Sequence, residues 1–377
     1  MEFRQTLKSQ LLKESKNFYL DNYDYFSRGP QKSVLKKVIN VGKWIFFREE
    51  IFRLFFWNSF LYDTLFLRLL YKMDKKYLSY LEYFYKVLED AESKGLLVKL
   101  VAFKILGYVK VKLPFNSPQY WQTVSKVDSI KDETNPIMLG FSPWKLFCYD
   151  LSEFGYNFKL YFSTNGIYST FIAHHYHHLI HNVGYIGASP GDVVLDLGGC
   201  YGDTALYFAM KVGQNGKVYS FEFIPKSLEI FNLNLNLNTH LKNRITIIES
   251  PLWSESGRTI FYKDNGGGSQ VSFKDFNGRE GIAVTITLDE FILKNRIEKI
   301  DFIKSDIEGA ESFVLKGATK LLKKFKPKLA ISIYHSKSDF VNIVRQISDL
   351  NLGYKFYLGH ASMYSSETVL FCISSES

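Results

Sequence analysis

The chain is poor in cysteine: its 377 residues hold 3, Cys148, Cys200 and Cys372, widely spaced and with no Cys-x-x-Cys pair. An odd, scattered set excludes a disulfide framework and points to a reducing compartment, the cytoplasm. Proline is scarce at 9 residues and the 25 glycines show no period, which excludes collagen-like and linker-rich architectures. Long apolar runs are missing too. The most apolar stretch, Trp44 to Tyr71, is broken by Arg48, Glu49, Glu50, Arg53, Asp63 and Arg68. Its longest charge-free piece, Leu54–Tyr62, is far short of the roughly 20 residues that cross a bilayer. No apolar core follows Met1-Glu2-Phe3-Arg4-Gln5, so no secretory leader is expected. What is abundant is apolar surface: 46% hydrophobic against 23% charged residues excludes a disordered chain.

The net charge of +9 is unevenly spread: residues 1–112 hold 21 Lys+Arg against 12 Asp+Glu, whereas residues 113–377 hold 26 of each. A neutral body argues against nucleic acid as a partner. The basic third suits a phosphate-bearing partner or an anionic membrane surface. Two apolar series in it, Ile51, Leu54, Phe55, Asn58, Leu61, Leu65, Leu69 and then Tyr77, Leu81, Phe84, Leu88, step at helical spacing. The second is expected to stop near Ser93-Lys94-Gly95. Apolar stripes of this kind are mostly core. The expectation is therefore a helical N-terminal region, residues 1–112, that packs on itself, on the rest of the chain or in a homo-oligomer. The alternative is an amphipathic platform in peripheral contact with the inner face of a membrane.

Pro114, Pro118, Pro136 and Pro143 predict an extended or looped connector over residues 113–145. Residues 146–377 read differently. Phe147 to Tyr168 suits one or two short strands, and from Gly191 short apolar runs alternate with helical patterns. The strands are expected at 193–197, 218–222, 245–248, 302–306 and 329–333, with helices at 204–211, 227–237 and 311–323 between them. Such alternation predicts a parallel sheet wrapped by helices.

The first expected strand runs into Asp196-Leu197-Gly198-Gly199-Cys200-Tyr201-Gly202-Asp203. Glycines there permit backbone shapes and close approaches that a side chain would block, so a ligand can rest against the turn. The spacing is not Gly-x-Gly-x-x-Gly, and an acid two residues before the first glycine is badly placed for a pyrophosphate. That counts against an NAD-linked oxidoreductase. The second strand ends Phe221-Glu222-Phe223, and a carboxylate at that position suits two ribose hydroxyls. In this order and spacing, the turn and the acid together read as an S-adenosylmethionine pocket.

Four stretches resemble the FkbM-type methyltransferases, over roughly residues 150–373. Val193 to Gly199 is similar to that family's glycine turn, Phe221-Glu222 to its ribose-binding strand end, and Thr287-Leu288-Asp289-Glu290-Phe291 to a segment before its fourth strand. Asp301-Phe302-Ile303-Lys304-Ser305-Asp306-Ile307-Glu308-Gly309-Ala310-Glu311 is the most specific match. The resemblance implies an α/β class I methyltransferase fold, a Rossmann-like, mostly parallel seven-stranded sheet whose last strand is antiparallel. It implies S-adenosylmethionine as donor and, as acceptor, an oxygen that is often a sugar hydroxyl of a bacterial surface glycan, a glycolipid or a related metabolite. Carried over by position, Asp196, Gly198 and Gly202 line the donor's methionine end and Glu222 holds the ribose. Gly199, Asp203, Phe223, Ser250 and Leu252 complete the expected cofactor set. The chain departs from the family in the bulky Cys200-Tyr201 and in Ser250-Pro251-Leu252-Trp253.

Deprotonating a hydroxyl calls for a carboxylate or imidazole at the carboxyl ends of the strands. Asp306 is the first candidate base, Glu308 an orienter or second acid, and His335, at the end of the next strand, the alternative base. The opposing expectation is that the two acids only cap the following helix. Lys304, Glu311 and His360 are expected to meet the substrate. Asp306, Glu308 and His335 could hold a divalent cation, but no spacing requires a metal. On a helix, His174, His178 and His181 would share one face; with no interleaved acid or cysteine, the reading is a helix bordering the acceptor cleft rather than a zinc site. Asn265-Gly266-Gly267-Gly268-Ser269 is expected to be a lid or a hairpin tip. A rival from another class is a non-catalytic, S-adenosylmethionine-binding assembly protein.

Overall fold

The computed structural model describes residues 2–17, 19, 75–108, 110–140, 144–180, 184–265 and 269–375. The helical series at 51–69, His181 and Gly266 to Gly268 lie outside the described residues.

Strands β1 (Lys131–Met138), β2 (Lys145–Asp150) and β3 (Lys159–Phe162) form an antiparallel sheet, and β4 (His178–Ile180) pairs with β5 (Gly184–Ile186). The central sheet follows: β6 (Val193–Leu197), β7 (Lys217–Phe221) and β8 (Ile245–Ile248). A small antiparallel sheet of β9 (Thr259–Lys263), β10 (Gln270–Ser272) and β11 (Gly281–Val284) intervenes. The central sheet then resumes with β12 (Phe302–Ser305), β13 (Lys328–Ser332), β14 (Tyr354–His360) and β15 (Thr368–Ser374). Its order is β14-β15-β13-β12-β6-β7-β8, and β15 runs antiparallel to both of its neighbours while the remaining pairs are parallel. This is the seven-stranded arrangement that the resemblance implied.

The short apolar runs become strands because helices bury them on both faces, so they need no polar alternation. Val194, Leu195, Phe302, Leu329, Ala330 and Ile331 are fully buried or nearly so. The helix Asp203–Val212 crosses from β6 to β7, and Pro225–Leu237 from β7 to β8, with Pro225 in its first turn where a missing N–H costs nothing. The expected single helix at 311–323 is instead two, Glu311–Lys316 and Thr319–Phe325, parted at Gly317. A Cβ on Gly317 would lie 2.5 Å from the Trp253 carbonyl oxygen, so the chain turns there against a neighbouring loop.

Two expectations for the N-terminal half are corrected. The helix carrying Leu81 and Phe84 spans Lys75–Val87 and stops before Ser93-Lys94-Gly95; those residues open a further helix, Ala91–Leu106, because Asp90 accepts a hydrogen bond from Ser93 N at 2.6 Å. Residues 113–145 are not merely looped: they include the helix Pro118–Ser129, capped by Ser117, and β1. Pro118 starts that helix rather than breaking it.

The described helices of residues 1–112 pack on the rest of the chain. Phe3, Leu7, Leu11, Leu81, Phe84, Leu97 and Val101 share one buried core with Phe340, Ile343, Leu370 and Cys372. Phe84 meets Phe340 edge-on at 5.9 Å. The same region covers the free edge of the sheet, since Glu89 N donates to Phe356 O at 3.0 Å and Leu358 N to Ser93 Oγ at 2.9 Å. Phe84→Ala should therefore cost the whole chain about 3–5 kcal/mol in urea unfolding, with one transition. A loss under about 1 kcal/mol, or a separate early transition, would show these helices to be independent of the main core.

Candidate active site

Register builds the centre of the site. Ser220 on β7, Asp196 on β6 and Lys304 on β12 stand side by side across three strands. Asp196 is fully buried; Ser220 Oγ donates to its Oδ2 at 2.7 Å, Thr204 Oγ1 donates to it at 2.9 Å, and Lys304 Nζ lies 3.1 Å from its Oδ1. Lys304 Nζ also donates to Gly198 O at 2.6 Å and Leu197 O at 3.2 Å, and sits 5.3 Å from the centre of the Tyr176 ring. Burial works against its charge, but Asp196, Asp306 and Asp203 outweigh that and raise its pKa. Two expectations change. Asp196 spends its oxygens on protein partners, so it supports the glycine turn from beneath instead of facing a ligand. Lys304 is 2% exposed at its side chain and cannot meet the acceptor.

The glycines of the turn answer first to the protein. Gly198 and Gly202 are both at φ +83°, and a Cβ on either would strike Asp306 O at 2.0 Å or the Phe231 ring at 2.4 Å. A Cβ on Gly199 would lie 2.2 Å from Ser220 Oγ. Asp203 is buried beneath the turn and accepts from Thr170 Oγ1 at 3.1 Å, and burial pushes its carboxyl up to about 6. Glu222, at the end of β7, accepts backbone N–H bonds from Phe223 and Ile224 at 2.7 and 2.8 Å and from Cys200 at 3.0 Å. Burial lifts it to about 7 against the pull of those amides. Among the described residues no cation pairs with it. Half-buried beside the turn, it is an acceptor lacking hydroxyl donors, which suits a ribose. Phe223 packs edge-on against Tyr262, Ser250 is half-buried past β8, and Leu252 is buried and bridged to Ile286.

At the end of β12, Asp306 accepts from Tyr176 OH at 2.8 Å and Tyr334 OH at 3.2 Å, and His335 Nε2 lies 3.2 Å away as an ion partner. Burial would raise its pKa, but His335 and Lys304 prevail and hold it well below the usual carboxylate range. His335 lies between two acids, its Nδ1 being 3.0 Å from Glu311 Oε1, so that burial is overcome and its pKa rises to about 11. Both contacts are ion pairs out of line for hydrogen bonds. With two hydroxyls and a cation against it, Asp306 is a weakened proton acceptor, and the acids on either side of His335 favour its protonated form. Glu311 is fully buried and accepts from Ile307 N at 2.9 Å; it caps the turn and does not reach an acceptor. Asp306, Glu311 and His335 each bring a ligating atom within 4.8 Å of the others. Glu308 remains, with its side chain 49% exposed, its backbone at φ +57° and its oxygen 3.7 Å from His335 Nε2. Partial burial raises it to about 7, with His335 pulling down and Asp306 and Glu311 pushing up.

The histidines do not form a helix. A π-turn, Tyr168–Ile172, ends the preceding helix, His174 takes φ +51°, and His178 opens β4. The turn reaches the site through Tyr176, which sequence reasoning passed over inside the histidine run, as it did Tyr334 beside His335 and Glu367. Glu367 Oε2 lies 3.2 Å from His175 Nδ1, and His360 Nδ1 is 3.0 Å from Thr368 Oγ1. His360 is buried against β15.

Replacing Lys304 by Met should strand Asp196 as an unpaired buried charge, with about 3–5 kcal/mol lost in urea unfolding. Loss under about 1 kcal/mol would mean that the pair does not hold the turn.

The family model of the methyltransferase FkbM domain matches residues 186–356. No curated protein matches the sequence. Among solved structures, a methyltransferase FkbM from Methylobacillus flagellatus KT is similar at 17% identity and a TM-score of 0.49, over 79% of this chain and 59% of that one. This chain thus spans less than two thirds of that protein. The O-methyltransferase from Bacillus cereus in complex with SAH is similar at 14% identity and a TM-score of 0.33, over 48% of this chain and 74% of that one. Fibrillarin from Aeropyrum pernix, in complex with natively bound S-adenosyl-L-methionine, is similar at 12% identity and a TM-score of 0.32, over 63% of this chain and 99% of that one. The matched residues, 186–356, contain the glycine turn, Glu222 and the Asp306 cluster, and are similar to the methyltransferase FkbM domain.

Proposed function

We propose that this chain is an S-adenosylmethionine-dependent O-methyltransferase that methylates a sugar hydroxyl of a glycan or glycolipid. The observation that carries the reading is the pairing of two acids at one sheet edge, Glu222 placed as an acceptor beside the glycine turn and Glu308 left as the accessible base at the end of β12. The bound donor supplies an electrophilic methyl carbon. Glu222 orients it by accepting from the ribose, with the turn held by Lys304. Glu308 takes the proton of the acceptor hydroxyl as its oxygen attacks. Asp306 and His335 stay charged and fix the field in which Glu308 titrates. An acid near 7 is well matched to this work, because about half of it is deprotonated at neutral pH and that half is basic enough to accept the proton.

Calorimetry with S-adenosylhomocysteine tests the first half: binding by the full chain should weaken roughly tenfold or more in Glu222→Ala, about 1.4 kcal/mol per tenfold. Absence of heat with the unmodified chain would refute the methyl-donor reading. For the second half, kcat/KM with a true acceptor should rise as pH climbs through about 7 and Glu308 loses its proton. Glu308→Gln should remove that rising limb and slow turnover by about 10²–10⁴. A limb unchanged in Glu308→Gln would move the base elsewhere.

A further inference from the structure

Three segments bring three ligand-type side chains together at the carboxyl edge of the sheet. Asp306 follows β12, Glu311 opens the helix Glu311–Lys316, and His335 lies beyond the end of β13. Each offers one carboxylate oxygen or ring nitrogen, and these atoms lie within 4.8 Å of one another. Two acids alone would mark only a capped turn. His335 adds the second observation. Its side chain is 8% exposed and sits between both acids, yet among the described residues neither ring nitrogen has a hydrogen-bond partner. Glu311 Oε2 is likewise buried without one.

The geometry of these contacts separates two arrangements. A ring present only as an N–H donor would have each carboxylate oxygen on an N–H axis. Instead, Asp306 Oδ1 is 3.2 Å from Nε2 and Glu311 Oε1 is 3.0 Å from Nδ1, both out of line. Two neighbouring ligands of an octahedral ion, with bonds of about 2.1 Å at right angles, stand about 3.0 Å apart, and each lies about 45° off the other's bond to the ion. Close approach without alignment is thus the mark of shared ligation. Atoms this close also shield one another from water, which agrees with the burial of the ring. A single ion takes one ring nitrogen with the acid beside it; the other acid reaches the ion from within the 4.8 Å that spans all three. Both carboxylates are fixed from outside, Asp306 by the hydroxyls of Tyr176 and Tyr334 and Glu311 by Ile307 N, as ligating carboxylates commonly are. Glu308, 3.7 Å from Nε2 and 49% exposed, stands on the open side.

We propose that Asp306, Glu311 and His335 form a site for a divalent cation such as Mn²⁺, with its remaining positions open toward the acceptor. One imidazole beside two carboxylates suits Mn²⁺ better than Ca²⁺, which takes oxygens alone. The ligand set differs from the one that the sequence suggested, with Glu311 in place of Glu308. The ring proton leaves to solvent as the ion binds, and the ion then supplies the positive charge that the imidazolium supplies without it. The role of the site, unlike its presence, rests on the methyltransferase reading above. The acceptor hydroxyl ligates the cation and becomes more acidic. Glu308 takes its proton, the C–O bond forms as the bond from methyl carbon to sulfur breaks, and S-adenosylhomocysteine departs.

Electron paramagnetic resonance on the full chain, stripped with chelator and titrated with Mn²⁺ alone, tests the site. The signal of free Mn²⁺ should fall by one equivalent per chain, and pulsed spectra should show coupling to a directly bound ¹⁴N. Affinity should drop roughly tenfold or more in His335→Gln and in Glu311→Gln and be kept in Glu308→Gln. Ca²⁺ should compete at least tenfold more weakly than Zn²⁺, which accepts imidazole readily. Heat of S-adenosylhomocysteine binding, measured on each variant, reports intact folding. No uptake by the unmodified chain, uptake without nitrogen coupling, uptake unaffected in both folded ligand variants, or stronger competition by Ca²⁺ would overturn the site and leave the donor reading standing. Uptake as expected without heat from S-adenosylhomocysteine in the unmodified chain would keep the cation site and remove its role in methyl transfer.

Discussion

The arrangement depends on one buried ion pair. Lys304 and Asp196 face each other from adjacent strands with almost no solvent, 3.1 Å apart. Two charges taken out of water gain little net stability even when well matched, but either one alone costs on the order of 3–5 kcal/mol, against a typical total of about 5–15 kcal/mol. The pair therefore acts as a condition on the fold more than as a source of stability. It also does local work. Through Nζ, Lys304 holds the carbonyls of Leu197 and Gly198 and fixes the path of the glycine turn. Together with His335, its positive charge keeps Asp306, two residues further on, ionised. The glycine turn and the Asp306 cluster are thus coupled through a single ammonium.

Backbone strain is present at this edge of the sheet, as it is at the opposite one, where Arg296, Lys326 and Asn351 also take positive φ. Cys200, Glu308 and Glu367 adopt positive φ of 43°, 57° and 58° in the turns that follow β6 and β12 and precede β15, and His174 does so at 51° in the turn whose Tyr176 reaches Asp306. Non-glycine residues in this region cost of order 1–3 kcal/mol each and persist only where surroundings over-determine them. Here they aim carboxylates and the histidine turn toward one crevice, where an extended backbone would send them apart.

Local signals were well read from the sequence. The strands at 193–197 and 245–248 appear with those bounds, because short apolar runs between turn residues leave little choice. Glu222 stands at the end of its strand, where the sequence placed it. What escaped were relations between distant residues. Asp196 seemed to want a cationic ligand; the cation is Lys304, on a strand that only the register brings alongside. Asp306 seemed a base, but its two hydroxyl donors and its ion partner His335 arrive from two other segments. The histidines suggested a helix face because nothing in their order announces the π-turn that ends it. Pro118 looked like a breaker and is a helix start, a distinction that Ser117 before it could have supplied.

The stretch matched by the family model ends at residue 356, inside β14 and before β15. Yet β15 is the strand that joins β14 to β13, and β14 is in turn sealed by Glu89 and Ser93. A fragment trimmed to the matched boundaries would lose both its penultimate rung and the cover over its rim, leaving raw amides and carbonyls to recruit neighbouring molecules. The matched stretch and the amino-terminal helices are in that sense a single physical object.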